Sequence, residues 1–427
     1  MTHKKKILLT EDSIKEFILA NIEGKHPPKK ALHDFRLNNN SKVINSLNAK
    51  DIKTLHKNTV IFISDRPNFF FLRVSKSLMN KGINTILLTR WGVDSTHSYF
   101  FNKVFLFDSL LDLYLLEEVE CISIYVQSWV GWFFLPVFID LITKVKVFCN
   151  VNDSSILLFD EVKNFYLLGF SKEIAIFDIE CEKYLYKKLS LVTHPYKDID
   201  FVEGVLSNKS SFYFPCYPLN EFIYNNKCRS PDIVNLVFIG GIPFDIKDES
   251  IFKDAKIHGV VQNMIEQNIN VTILNNPLMT ESEASFQSKY KFFSNLSKSS
   301  KNFNFKSGYP PWDLYEHTHN FSYGIMIYDF SDILISNRHI RSIVPSKFFT
   351  YMEIGIPVIV VDEMEAVANI VLENNLGIVI SYKRIDDLHK IINSRHIEYD
   401  SFISSISSYN KKNNIETRIN DLLTYFT

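Results

Sequence analysis

Hydrophobic and polar positions along the chain fall into two series of short apolar runs separated by mixed segments. The first series opens at Thr59. "TVIFISD" (59–65) is apolar without alternation, as expected of a strand buried on both faces. "NFFFLRVSKSLMNKG" then spaces its apolar residues three and four apart and stops at Gly82, which predicts a helix with a glycine cap. "INTILLT" (83–89), "KVFLFD" (103–108), "SIYVQS" (123–128), "KVFCNV" (146–151), "LVTHPY" (191–196) and "SFYFPCY" (211–217) read as further strands. "SLLDLYLLEEVE" and "IECEKYLYKKLS" read as helices between them. The polar stretch "PLNEFIYNNKCRSP", from Pro218 to Pro231, predicts a linker.

The second series follows. "IVNLVFIGG" (233–241), "VTILNN" (271–276), "YGIMIYD" (323–329), "PVIVV" (357–361) and "GIVI" (377–380) are its strands. Strands alternating with helices predict an α/β fold of two Rossmann-like, doubly wound parallel-sheet domains facing a cleft. The expected organisation is an N-terminal extension of unassigned role (1–58), a first domain (59–218), a second domain (231–400) and C-terminal helices (401–427).

Composition narrows the class. The chain has 427 residues, 46% hydrophobic and 22% charged, so it suffices for two cores and reads as globular. Its 47 basic and 48 acidic residues balance, which argues against nucleic acid as a partner. The five cysteines have no zinc-ligand spacing and read as reduced thiols. The basic start "MTHKKKILLT" lacks the apolar region of a signal peptide. "WVGWFFLPVFIDLITKVKVF", broken by Pro136, Asp140 and Lys144, predicts a buried helix rather than a membrane span. The expected location is the cytoplasm.

Candidate chemistry concentrates in "VPSKFFTYMEIGIPVIVV" (344–361). A helix is expected from Ser346 as N-cap to Gly355 as left-handed C-cap, with Pro357 opening a strand. Its start lies on the carboxyl side of the sheet, where ligands of open α/β sheets bind. A lysine in a first turn opposes the helix dipole, and a bound phosphate would reverse that sign. Lys347, Thr350, Tyr351 and Ile354 share a face by spacing. Snorkelling of Lys347 into solvent is the alternative. Gly240 and Gly241 end the strand "NLVFIGG", where a backbone can approach phosphate closely or simply turn. Asp329 and Asp332 follow another strand of this domain. In the first domain Asn150 and Asp153 follow "KVFCNV". Asp153 is positioned either to deprotonate a hydroxyl or to cap the next helix. The pair "DID" (Asp198, Asp200) and the histidines His317 and His319 lack further ligands, so no metal site is expected.

The segment "VPSKFFTYMEIGIPVIVVDEMEAVANIVLENNLGIVI" resembles the C-terminal domain of GT-B glycosyltransferases, above all the bacterial glucosyltransferase 3 and β-1,6-galactofuranosyltransferase-like group. That group reads Pro-His-Lys-Leu, then Tyr-Leu-Ala-Ala-Gly-Leu-Pro-Val-Ile. Pro345, Lys347, Tyr351, Gly355, Pro357, Val358 and Ile359 stand in register with it. The resemblance implies sugar transfer from a nucleotide-diphosphate donor, UDP above others, to a hydroxyl of a glycan, a lipid-linked glycan or a protein. It implies no cofactor, and peripheral association with the inner face of the membrane. Lys347, Ser346, Thr350 and Tyr351 would serve the donor, with Gly240, Gly241, Lys247 and Asp329, and with Tyr309 against the base. Asp65, Arg66 and Asn150 would serve the acceptor, and Asp153 would be catalytic. The broader retaining family carries two glutamates where Ser342 and Thr350 stand here. Their loss leaves a nucleotide-sugar epimerase of this fold, or a non-catalytic partner subunit, as alternatives.

Overall fold

The computed structural model describes residues 9–23, 44–90, 97–159, 168–197, 211–224, 234–242, 257–276, 283–331 and 334–426. The chain forms two units. The first comprises Met1–Pro195, Ile199–Pro215 and Arg418–Thr427, and the second Tyr196–Asp198 and Cys216–Thr417.

The first unit is built on an eight-stranded parallel sheet. Its strands are β1 (Ile44–Ser46), β2 (Thr59–Ser64), β3 (Asn84–Thr89), β4 (Lys103–Leu106), β5 (Ser123–Ser128), β6 (Val147–Val151), β7 (Leu191–His194) and β8 (Ser211–Tyr213). They lie in the order β1-β4-β3-β2-β5-β6-β7-β8. Every residue of β2, β5 and β6 is buried, which explains why these runs show no alternation. Phe62 on β2, Tyr125 on β5 and Phe71 on the Phe69–Asn80 helix meet as one aromatic core. The apolar stretch after Trp129 yields a helix, Phe134–Ile142, with Pro136 in the first turn, where no intrahelical N–H is lost.

Part of the N-terminal extension belongs to this unit. The helix Glu11–Asn21 buries Ile14 and Ile18 and stacks Phe17 on Phe177 at 4.3 Å, while β1 supplies an edge strand beside β4. The last helix, Ile415–Phe426, brings Phe426 to 5.0 Å from Phe148 on β6.

The second unit has a six-stranded parallel sheet in the order β11-β10-β9-β12-β13-β14. Its strands are β9 (Asn235–Ile239), β10 (Asn270–Asn275), β11 (Phe303–Ser307), β12 (Tyr323–Met326), β13 (Val358–Val361) and β14 (Gly377–Ile380). The edge strand β11, "FNFKS", shows no apolar run because only Phe303 and Phe305 face inward. Two parallel α/β sheets are therefore present, as expected. Several expected strands are shorter: the runs at 103–108, 211–217 and 323–329 end at Leu106, Tyr213 and Met326. Among the described residues no helix is long and apolar enough to cross a membrane.

Candidate functional site in the second unit

The helix Ser346–Glu353 follows β12 after an intervening short helix, Asn337–Ser342, and leads into β13. Its end is a Schellman motif: the N–H of Gly355 reaches the carbonyl of Met352 and that of Ile356 the carbonyl of Tyr351, both at 3.2 Å. Gly355 sits at φ +72°, the left-handed region expected of it. Its start differs from expectation. Pro345, in extended conformation, is the N-cap, and no side chain caps this end. Ser346 is the first helical residue and is exposed, so its hydroxyl is not the cap. Proline fits there because its φ is fixed near −65°.

Lys347 stands in the first turn of this helix, and no acidic residue accompanies it there. Its side chain does not run out into solvent. Nζ lies 3.8 Å from the centroid of the Phe238 ring on β9 and donates to the hydroxyl of Tyr328 at 3.0 Å. Cation–π and hydrogen-bond contacts offset the unfavourable dipole at this helix end. Gly240, just beyond β9, has φ +134°, and a Cβ there would meet Lys347 Cε at 2.9 Å. The glycine thus leaves room for the lysine as well as for a tight turn, and its N–H bonds the carbonyl of Leu274 at 3.0 Å. Gly241 is exposed beside it. Phe238 and Tyr328 were not singled out in the sequence; both lie in apolar runs, where an aromatic reads as core.

Tyr351 is a correction. It is fully buried, and its phenol accepts from the N–H of Ile239 at 3.1 Å and donates to the carbonyl of Ile325 at 3.0 Å. Burial pushes its ionisation well up, so it acts as a neutral strut between helix and sheet rather than as a donor ligand. Thr350, half-buried, turns its hydroxyl back to the carbonyl of Ser346 at 3.3 Å. Ser342 is buried and bonds the carbonyl of Arg338 at 2.6 Å. Asp329 folds back as an Asx turn, accepting from the N–H of Ser331 at 2.8 Å. Tyr309 stacks on His317 at 3.5 Å, so one of its faces is already covered. Lys247, Asp332, Asp198 and Asp200 lie outside the described residues.

In the first unit, Asp65 is a further correction. It is buried and ion-paired with Arg90, itself buried, so its carboxylate anchors the end of β2 instead of presenting to an acceptor. Arg66 is half-buried, and that burial lowers its ionisation. Asn150 is buried and donates to the Thr193 hydroxyl at 3.1 Å; it lies beneath the carboxyl edge rather than on it. Asp153 is half-buried, and the helix Ser155–Leu158 is capped by Ser154, not by Asp153. Among the described residues no group of three His, Cys, Asp or Glu is arranged to hold a metal.

Residues 272–419 match the family model described as "Glucosyltransferase 3-like, C-terminal domain". Over those residues the chain is similar to the C-terminal domain of glucosyltransferase 3-like proteins. No curated protein matches its sequence. Among solved structures, Anabaena HepE in complex with UDP and glucose is similar over 86% of this chain and 100% of its own, at 9% identity and TM-score 0.57. A glycosyltransferase from Rickettsia africae covers 87% of this chain and 98% of its own, at 12% identity and TM-score 0.55. WaaG, a glycosyltransferase involved in lipopolysaccharide biosynthesis, covers 86% of this chain and 99% of its own, at 10% identity and TM-score 0.54. At such identities the likeness of this chain to these structures is one of fold.

Proposed function

We propose that the protein transfers a sugar from a UDP-linked donor to a hydroxyl of a glycan, a lipid-linked glycan or a protein, and that Lys347 holds the donor diphosphate. The observation that carries this reading is the seat of Lys347. A cation stands in a helix's first turn, is held by Tyr328 and Phe238, and is given room by Gly240. Aromatic packing costs a lysine side-chain freedom, and a flexible surface lysine needs no such seat. A preorganised cation beside helix N–H groups is suited to charge that develops on a leaving diphosphate. HepE was crystallised with UDP and glucose, which favours UDP as the nucleotide. The acceptor is proposed to bind at the carboxyl edge of the first sheet, where Asp153 and Arg66 stand half-buried. Peripheral attachment to the inner face of the membrane belongs to the same reading.

In this reading charge on the leaving group is met by Lys347 and backbone N–H groups, and a divalent ion is not required. Donor turnover, followed as UDP release from a panel of UDP-sugars with added glycosides, should therefore survive EDTA. A strict need for magnesium or manganese, lost on Asp198→Ala, would move the donor to the first unit and overturn the assignment of Lys347. Release of an epimerised nucleotide sugar would favour the epimerase instead.

A further inference from the structure

The helix Lys172–Lys188 buries two carboxylates four residues apart, Asp178 at 2% exposure and Glu182 at 0%. Four residues is slightly more than one turn, so both project from one face. Asp178 accepts from the N–H of Gly131 at 2.8 Å, the N–H of Phe133 at 3.0 Å and the Ser155 hydroxyl at 2.6 Å. Glu182 is bonded to the N–H of Ile156 at 2.9 Å and the Ser154 hydroxyl at 2.5 Å, with the Tyr186 hydroxyl at 3.3 Å. Residues 129–133 follow β5, and residues 152–156 follow β6. These are the carboxyl ends of two adjacent central strands, the edge at which open α/β sheets bind ligands. We propose that Asp178 and Glu182 are positioning residues, which clamp the loops after β5 and β6 and so fix the floor on which the acceptor is received. This rests on the reading that the acceptor binds at this edge.

The two acids have different partners, and this separates their protonation. Asp178 meets two N–H donors and a hydroxyl, a set that suits a carboxylate; burial nevertheless raises it to about 6. Glu182 meets one N–H and hydroxyls able to accept its proton, and burial, with the nearby Asp178 adding to it, raises it to about 8. The other titratable groups facing the pair are Cys149 on β6, Cys181 and Tyr186, and burial lifts both thiols. On the neighbouring surfaces Asp140 is engaged by Tyr184, and Glu180 by Lys183. Among the described residues no cation bonds either acid. Near neutral pH the pair therefore holds one negative charge, and a rise through about 8 adds a second beside it. Both acids titrate higher in the fold than in an unfolded chain, where carboxyls titrate near ~4. Their contribution to stability is complete below that pH and is lost as pH rises through about 6 and then about 8.

Two variants of the full chain test the clamp. Glu182→Gln replaces a neutral acid by a neutral amide. It should be nearly silent at pH 7 and should abolish a step near pH 8 in the emission of Trp129 and Trp132, which flank the clamped Gly131. Asp178→Asn removes an acceptor from buried N–H groups. It should speed hydrogen exchange about tenfold or more, at every pH, at whichever of Gly131 and Phe133 then faces the amide nitrogen. A step near pH 8 that persists in Glu182→Gln, or unchanged exchange in a folded Asp178→Asn, would overturn the proposal. If Asp178→Asn does not fold, the Glu182→Gln titration decides alone. UDP affinity, read in the same samples, should be unchanged in Glu182→Gln. Wild-type protein that binds no UDP would defeat the donor reading and leave the clamp standing.

Discussion

Replacing Lys347 with alanine should weaken UDP binding by about tenfold or more. Two terms combine. A hydrogen bond from an ammonium to a phosphate oxygen contributes about 1.5–3 kcal/mol, and the ammonium here is already oriented by Tyr328 at 3.0 Å and Phe238 at 3.8 Å. Lys383→Ala, at an exposed position, is the control and should leave the affinity unchanged. Tyr328→Phe keeps the ring and removes the hydroxyl that orients Nζ, so its loss should be smaller than that of Lys347→Ala. Calorimetric titration of the variants with UDP gives the ratios. Equal affinity for Lys347→Ala and wild type would mean that the lysine merely covers Phe238.

Gly324→Ala should destabilise the second unit by about 3 kcal/mol, because it overpacks a rigid site. A Cβ on Gly324, in the central strand β12, would lie 2.3, 2.4 and 2.5 Å from three carbons of the Tyr351 ring. That ring cannot swing aside, since it is fully buried and its hydroxyl is tied to both β9 and β12. The strain would fall on the helix that carries Lys347. At this size the cost corresponds to a fall of about 6–12 °C in the transition of a 150–250-residue domain. Gly259→Ala is the contrast: nothing lies within 4 Å of its Cβ, and it sits in the helix His258–Glu266, so it should be neutral or slightly stabilising. Scanning calorimetry of the two variants checks both signs. An unshifted transition in Gly324→Ala would show that helix and sheet slide past one another more freely than this packing allows.

What the sequence made legible follows the length and purity of its signals. Central parallel strands are apolar throughout, so β2, β5 and β13 stood out. β1 and β11 carry polar residues at half or more of their positions, so they did not. Gly355 was readable because a single backbone geometry explains a glycine between a helix and a strand. Lys347 was readable as a cation at the wrong end of a helix, but its partners were not. Phe238 on β9 and Tyr328 just after β12 are distant in sequence, and spacing cannot tell an aromatic in the core from one that seats a cation. Tyr351 misled for the converse reason: it matches the family pattern at its position, yet the packing gives it a structural task. Asp65 likewise looked like a loop acid until its partner, Arg90, 25 residues away, came beside it. Asp178 and Glu182 were within reach. They share the helical face of Ala175, Cys181 and Leu185, and acids on a buried face announce either a partner or a protonated carboxyl. The expected helix began at Ile179, one residue too late to include the first of them.

The location of UDP in a crystal of the wild-type protein tests the central claim most directly. The diphosphate is expected at the start of the helix Ser346–Glu353, with an oxygen within about 4 Å of Lys347 Nζ. A diphosphate bound away from Lys347, or bound on the first unit, would contradict it.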